Sequence, residues 1–180
     1  MSGGTGSDAA APGRSAHRLL GSDVDGEAAP HFVYVLALLF TPDARQVVLM
    51  RKTRPAWQAG RVNAPGGKLL PGESAAEAAS REMLEETAAR VPVEAWRELV
   101  VWRDPVYRMH VLSAFHAAAD HARTAEDQEV FLADVDDLPE ECIENLRWLV
   151  PLALDRDVAR PIELRSGKPE GSGLTEPVPE

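Results

Sequence analysis

Cysteine is almost absent: Cys142 is the only one in 180 residues. An intramolecular disulfide is therefore excluded, and a cysteine-rich zinc site is disfavoured. Positive charge is also scarce, with 19 Lys and Arg against 29 Asp and Glu and a formal charge of −10. Such a surface repels phosphodiester backbones and anionic lipid, so neither nucleic acid nor a membrane is an expected partner. Long apolar runs are missing too. The longest, Phe32 to Phe40, is far too short to cross a bilayer, and the N-terminus lacks the basic and apolar blocks of a secretory signal. The resulting expectation is a cytoplasmic location.

Large apolar side chains are sparse in residues 1–30 and again in 161–180, where Gly, Ala, Ser, Pro and acidic residues prevail. Segments of that composition bury too little surface to offset the entropy of ordering. Both are read as disordered tails around one domain, residues 31–160, a comfortable size for a single core. Within it, HFVYVLALLF (31–40) is continuously apolar and reads as a strand buried on both faces. QVVLMR (46–51) follows a short turn and reads as its hairpin partner. A loop from Lys52 to Glu73, with three prolines and four glycines, leads into a helix over residues 74–90. Ser74 with Glu77 forms a capping box, and Glu77–Arg81 and Arg81–Glu85 have the (i, i+4) spacing of ion pairs. Trp96–Trp102, Tyr107–Ala117 and Glu129–Val135 read as further strands. Pro139–Leu154 reads as largely helical, with a break or kink at Pro151. Strands, helix, strands and helix in that order give an α/β fold with a mixed β-sheet between helices.

Chemistry concentrates on the first helix. Glu82, Glu85 and Glu86 are spaced i, i+3, i+4, so three carboxylates share one face within about one turn. An acidic face of this kind is ordinarily a solvated surface. It is also an oxygen-only donor set suited to a hard cation, Mg²⁺ or Mn²⁺ as a substitute, with no neighbouring His or Cys to favour a softer metal. The context decides for the second reading. Residues 67–89 resemble the Nudix box, G-x5-E-x7-R-E-U-x-E-E-x-G-U with U a bulky apolar residue. Gly67, Glu73, Arg81, Glu82, Met83, Glu85 and Glu86 all fall on their pattern positions. Two positions depart: Ala88 stands at the pattern glycine and Ala89 at the last bulky position. That glycine closes the helix. Alanine there either accepts a left-handed conformation at a cost of about 1 kcal/mol or lets the helix run one turn further.

The resemblance implies a Nudix-type α/β/α sandwich and metal-dependent hydrolysis of a phosphoric anhydride in a nucleotide. It implies Glu82, Glu85, Glu86 and the Gly67 carbonyl as metal ligands, and a supporting salt bridge between Glu73 and Arg81. Glu85, Glu86 and Arg81 form the implied catalytic set, with Glu85 or Glu86 as the base; some relatives use a later loop glutamate, for which Glu126 and Glu129 are available. Homodimers are frequent in the family.

Specificity lies outside the box. Between Arg51 and Lys68 stand five basic residues, adding Lys52, Arg54 and Arg61, and no acidic one. In an acidic chain this reversal can attract an anionic substrate, with Arg51, Arg61 and Lys68 as phosphate-binding candidates. Gly66-Gly67 lacks the Lys-Ser/Thr ending of a P-loop. Trp57, Trp102 and Tyr107 are candidates for stacking on a base. The histidines have no metal-ligand spacing and are read as structural or surface residues. ENLRWLVPLAL (144–154) is similar to the closing helix of Nudix enzymes that clean oxidised purine nucleotides, which makes Glu144 and Asn145 candidates for reading a base edge. The expected substrate is a purine nucleoside triphosphate, oxidised forms included. A diphosphate-sugar or dinucleoside-polyphosphate hydrolase is the first rival, because Pro105 and Tyr107 occupy the marker positions for both. A Nudix-fold module that binds without cleaving is the second.

Overall fold

The computed structural model describes residues 32–166. The tail expected over residues 1–30 lies outside them, as does the end of the one expected over 161–180. Strand β1 (Phe32–Phe40) is the centre of the fold. Its side chains alternate: Leu36, Leu38 and Phe40 enter one core, and Val35, Ala37 and Leu39 the other. Helix α1 (Ala75–Thr87) covers the second face with Ala78, Ala79 and Met83. Helix α2 (Leu146–Leu154) covers the first with Leu146, Leu149, Val150 and Ala153. A strand with an apolar layer on each side has no polar parity, which explains its unbroken apolar run.

Among the described residues the sheet holds β1 with β2 (Gln46–Arg51), β3 (Val62–Asn63), β4 (Arg97–Arg103), β5 (Tyr107–Phe115), β6 (Glu129–Asp134) and β7 (Ile162–Arg165), in the order β3-β2-β1-β5-β4-β7 with β6 on the other edge of β2. β1 pairs in parallel with β5 (Tyr107–Phe115) along its whole length. β4 (Arg97–Arg103) runs antiparallel to β5. β2 (Gln46–Arg51) meets β1 only beside the turn, at Phe40↔Val47, and then splays away towards β6 (Glu129–Asp134) and the two-residue β3 (Val62–Asn63). The expected hairpin is thus formed only at its closed end. Loop residues take up the vacated edge of β1: Ala37 N–H donates to Pro65 O at 2.8 Å, Val35 to Gly67 O at 2.8 Å and Leu69 to Val33 O at 3.0 Å. This splay brings the loop before α1 into the middle of the sheet.

Three local readings change. Ile162–Arg165, expected in the C-terminal tail, forms β7 in parallel with β4. Ile162 and Leu164 pack on the core, and Glu163 bonds Arg103 at 2.8 Å; two apolar side chains are too few to mark a strand by composition. Residues 139–145 are not helical, because Glu141 O accepts from Val62 N–H at 3.0 Å and Ile143 N–H donates to Val62 O at 2.9 Å. Pro151 lies inside α2 and does not end it.

At the end of α1 the box's missing glycine matters. Ala88 is left-handed, φ 56° and ψ 6°, and its N–H bonds Leu84 O at 2.9 Å. Ala89 and Val91, both buried, require the chain to turn there rather than extend the helix. Ala88→Gly is therefore expected to stabilise the protein by about 1 kcal/mol. Urea unfolding checks this, and an unchanged or lower midpoint would contradict it.

Candidate active site

The acidic face of α1 is wired to the loop before it. Ser74 Oγ accepts from Glu77 N–H at 3.2 Å, and Glu77 Oε2 accepts from Ser74 N–H at 2.8 Å, completing the capping box. Glu77 is thereby occupied, and Arg81 turns to Glu73 instead. Arg81 Nε and Nη2 donate to the two Glu73 oxygens at 2.8 and 3.0 Å, a bidentate pair. Nη2 also reaches Lys68 O at 3.0 Å, while Nη1 bonds Glu82 Oε1 at 2.8 Å and Glu85 Oε2 at 3.1 Å. One guanidinium joins the loop, the helix and two of the three acidic residues. The bond from Arg81 holds the Glu73 carboxyl below the usual glutamate range. Burial pushes the Glu82 carboxyl up against the pull of Arg81, and the nearby Glu86 and Glu85 add to the rise.

Gly66 is fixed by close approach, because a Cβ there would overlap the Val35 carbonyl oxygen; a Cβ on Gly67 would meet the movable end of the Glu82 side chain. Glu86 is 8% exposed. Its Oε2 accepts from Gly66 N–H at 2.9 Å, and Oε1 faces Lys52 Nζ at 3.2 Å. Lys52 is itself 9% exposed and continues the β2 parity of Met50, whose sulfur lies 3.2 Å from Nζ.

Glu82, Glu85 and Glu86 share a face, but each leans on a donor of the chain. Among the described residues no three His, Cys, Asp or Glu side chains are gathered as a metal cage. The chemistry of the set still fits a hard cation, because all donors are carboxylate oxygens and Glu82 is crowded by like charge in a partly desolvated position. The Gly67 carbonyl accepts one bond, from Val35 N–H, and keeps a second lone pair.

Beside this face opens a cleft of about 570 Å³. Its floor is Tyr34 and Leu36 of β1 with Tyr107 and Met109 of β5, and Arg54, Trp57 and Gln58 form one wall. Lys52, Asn63, Gly66 and Gly67 connect it to α1. Trp57 is 72% exposed although it lines the cleft. Asn63 Oδ1 accepts from Ala64 N–H at 2.8 Å, and its amide nitrogen has no partner among the described residues.

Several expected residues lie elsewhere. Arg51 pairs with Glu129 at 3.3 Å and Glu141 at 3.5 Å, Arg61 pairs with Glu144 at 2.7 Å, and Lys68 Nζ sits 4.4 Å over the Phe32 ring. None of the three lines the cleft. Glu126 is a partner of Arg54 at 3.3 Å. The basic run is therefore largely neutralised by acidic residues distant in sequence. Asn145 begins α2 with Oδ1 buried and unpartnered, and neither it nor Glu144 lines the cleft. Trp57 and Tyr107 line it; Trp102 does not. The His110 ring bonds Glu98, and His116 Nδ1 accepts from Ala118 N–H at 3.1 Å. Sequence reasoning missed the inward turn of Lys52, whose signal was the alternation of β2. It also missed Asn63, a polar residue between two buried apolar ones.

The family model of the NUDIX domain matches residues 30–165. The chain belongs to the NUDIX domain family. A protein of Bacillus subtilis (strain 168), named "Putative 8-oxo-dGTP diphosphatase", is 36% identical over 90 residues, 46% of this chain and 56% of that protein. The chain thus spans little more than half the length of that relative. A MutT NUDIX hydrolase from Burkholderia pseudomallei superimposes with TM-score 0.54 at 23% identity, over 69% of this chain and 98% of that one. A bifunctional NMN adenylyltransferase/ADP ribose pyrophosphatase from Francisella tularensis gives TM-score 0.56 at 22% identity, over 69% of this chain and 41% of that one. At such identities the two structures show a shared fold, the mixed sheet between helices. Among the described residues of this NUDIX protein, no helix is long and apolar enough to cross a membrane.

Proposed function

We propose that this NUDIX protein hydrolyses a purine nucleoside triphosphate, oxidised forms included, to the monophosphate and pyrophosphate. The observation that carries the reading is the junction of the acidic α1 face with an aromatic cleft through Lys52, Gly66 and Gly67. Bound by Glu82, Glu85 and Glu86, Mg²⁺ or Mn²⁺ would neutralise pyrophosphate charge and make a water molecule acidic. Arg81 keeps Glu82 and Glu85 oriented from behind. Glu85 is the better-placed proton acceptor: its side chain is 53% exposed, and Arg81 engages only Oε2. Both Glu86 oxygens already accept bonds from the chain. Tyr34, Tyr107 and Trp57 line the cleft, aromatic side chains on which a planar base can stack. The relative in Bacillus subtilis, by its name, supports an oxidised guanine nucleotide. Pyrophosphate release with Mg²⁺ across a nucleotide panel tests the reading, and much faster cleavage of ADP-ribose than of every triphosphate overturns it.

Base reading falls to Asn63 rather than Asn145, because only Asn63 lines the cleft. Asn63→Ala is expected to cut discrimination among purine triphosphates by about 1–3 kcal/mol in relative kcat/KM. Asn145→Ala is expected to leave that ratio unchanged. Competition kinetics on 8-oxo-dGTP, dGTP and dATP decide, and the opposite pattern would return the role to Asn145.

A further inference from the structure

A second cavity lies at the other end of the sheet. β1 and β5 carry the cleft floor near Tyr34 and Tyr107, and their far ends, Phe40 and Phe115, lie roughly 25 Å away along the strands. There a cavity of about 300 Å³ opens between the β1–β2 turn, the end of β5 and the end of α2. One side of it is apolar, with Ala44, Phe115 and Ala153. The Phe115 ring stacks on the fully buried Phe40 ring at 4.9 Å and is still 42% exposed. The core thus fixes the ring from one side and leaves aromatic surface at the cavity. The other side is charged, with Asp43, Arg156 and Arg160. Asp43 is occupied within its own turn: Oδ1 accepts from Thr41 Oγ1 at 2.6 Å and from Arg45 N–H at 3.2 Å. The two arginines are less fully engaged. Arg160 Nη2 donates to Leu152 O at 3.1 Å, to Ala153 O at 3.0 Å and to Asp155 O, which closes the end of α2 and holds the guanidinium in place. Its Nε is buried and has no partner among the described residues, so that donor bears its desolvation without return. Arg156 is exposed and also has no partner among the described residues. By contrast Arg51, Arg54, Arg61, Arg81 and Arg103 all end on carboxylates.

We propose that this cavity is a second binding site, for a small aromatic oxyanion, a carboxylate or a phosphate monoester. The anion accepts from Arg160 Nε and Arg156, and the ring lies against Phe115. A mostly apolar hollow with a few fixed polar groups is the usual form of a small-molecule site. A cationic pair beside an aromatic ring selects negative charge and a planar body together. The site is independent of the nucleotide cleft and of the reaction proposed for it.

The test is an NMR titration of the full ¹⁵N-labelled chain with benzoate and with phenyl phosphate. Benzyl alcohol supplies a ring without charge, and acetate a charge without a ring. At least one aromatic anion is expected to shift the amides of Ala44, Phe115 and Ala153 to saturation in the millimolar range, whatever happens at Gly66 and Gly67, which report the cleft. The tighter of the two identifies the headgroup. Benzyl alcohol and acetate are each expected to bind at least about tenfold more weakly, the scale of one hydrogen bond to a charged group. The Arg160 Nε–H resonance is expected to move with the aromatic anion and to stay fixed with benzyl alcohol. Arg156→Gln, at an exposed position, is expected to weaken the aromatic anion at least about tenfold and to leave benzyl alcohol unchanged. Shifts that do not saturate, or that appear only at Gly66 and Gly67, overturn the proposal. So does equal binding of acetate or benzyl alcohol, an Arg160 Nε–H signal that stays fixed throughout, or wild-type affinity for the aromatic anion in Arg156→Gln.

Discussion

Glutamine at position 85 or 86 is expected to lower turnover at least ~100-fold, the scale of losing a metal ligand or a general base. The two variants are expected to differ in stability. Glu85 is half exposed and makes one bond, to Arg81, so its amide analogue keeps the size and loses little. Glu86 is buried between Lys52 and Gly66. A glutamine there can still accept from the Gly66 amide but leaves the Lys52 charge uncompensated, so a lower melting temperature accompanies its loss of rate. EDTA is expected to abolish activity in the wild type, and Mg²⁺ or Mn²⁺ to restore it. Initial rates of pyrophosphate release, read beside thermal melts, separate these outcomes. Full activity in one variant removes that residue from the catalytic set. Full activity in EDTA removes the metal.

What was legible in the sequence was local. The capping box, the helical spacing of the three glutamates and the unbroken apolar run of β1 each state their structure within a few residues. The box spacing also identified Arg81 and Glu73, because loop and helix are adjacent in the chain. The remainder depends on pairing between distant segments. The loop at Pro65–Leu69 bonds β1 through backbone groups, which leave no side-chain signature. β3 has two residues and β7 four, too short for a period to emerge. Lys52 reads as one charge in a basic run; its burial follows from β2 turning towards β6 and α1 lying across that face. Asn145 looked suitable as a donor and acceptor, but the segment before α2 is held to β3 and leaves it away from the cleft. Ala88 could be framed only as a choice between strain and a longer helix, and the buried Ala89 and Val91 decide for strain.

Arg81→Ala is expected to cost about 2–4 kcal/mol of stability and most of the activity. The guanidinium makes five bonds: two to Glu73 and one each to Lys68 O, Glu82 and Glu85. The Glu73 side chain is only 13% exposed and that of Glu82 14%, so both carboxylates would lose their partner in a place that water reaches poorly. Glu82 would then stand beside Glu85 with no cation between them, Lys52 remaining on Glu86 alone, and the loop would lose its tie at Lys68. The acid side of the stability profile carries a second signature. The pKa of Glu73 is lowered in the folded state. Its stabilising contribution is therefore fully present above the unfolded value, about 4.3, and is lost as pH falls through the folded value. In Arg81→Ala that contribution is gone at every pH. The variant is expected to be less stable than the wild type at neutral pH, with the gap narrowing below about pH 4. Urea unfolding of both proteins between neutral pH and the acid limb measures this. A gap that stays constant with pH would show that Arg81 acts through packing and the Lys68 carbonyl rather than through Glu73. Arg81→Lys sharpens the test: an ammonium keeps the charge but cannot form the bidentate pair, so it is expected to recover part of the stability and little of the turnover.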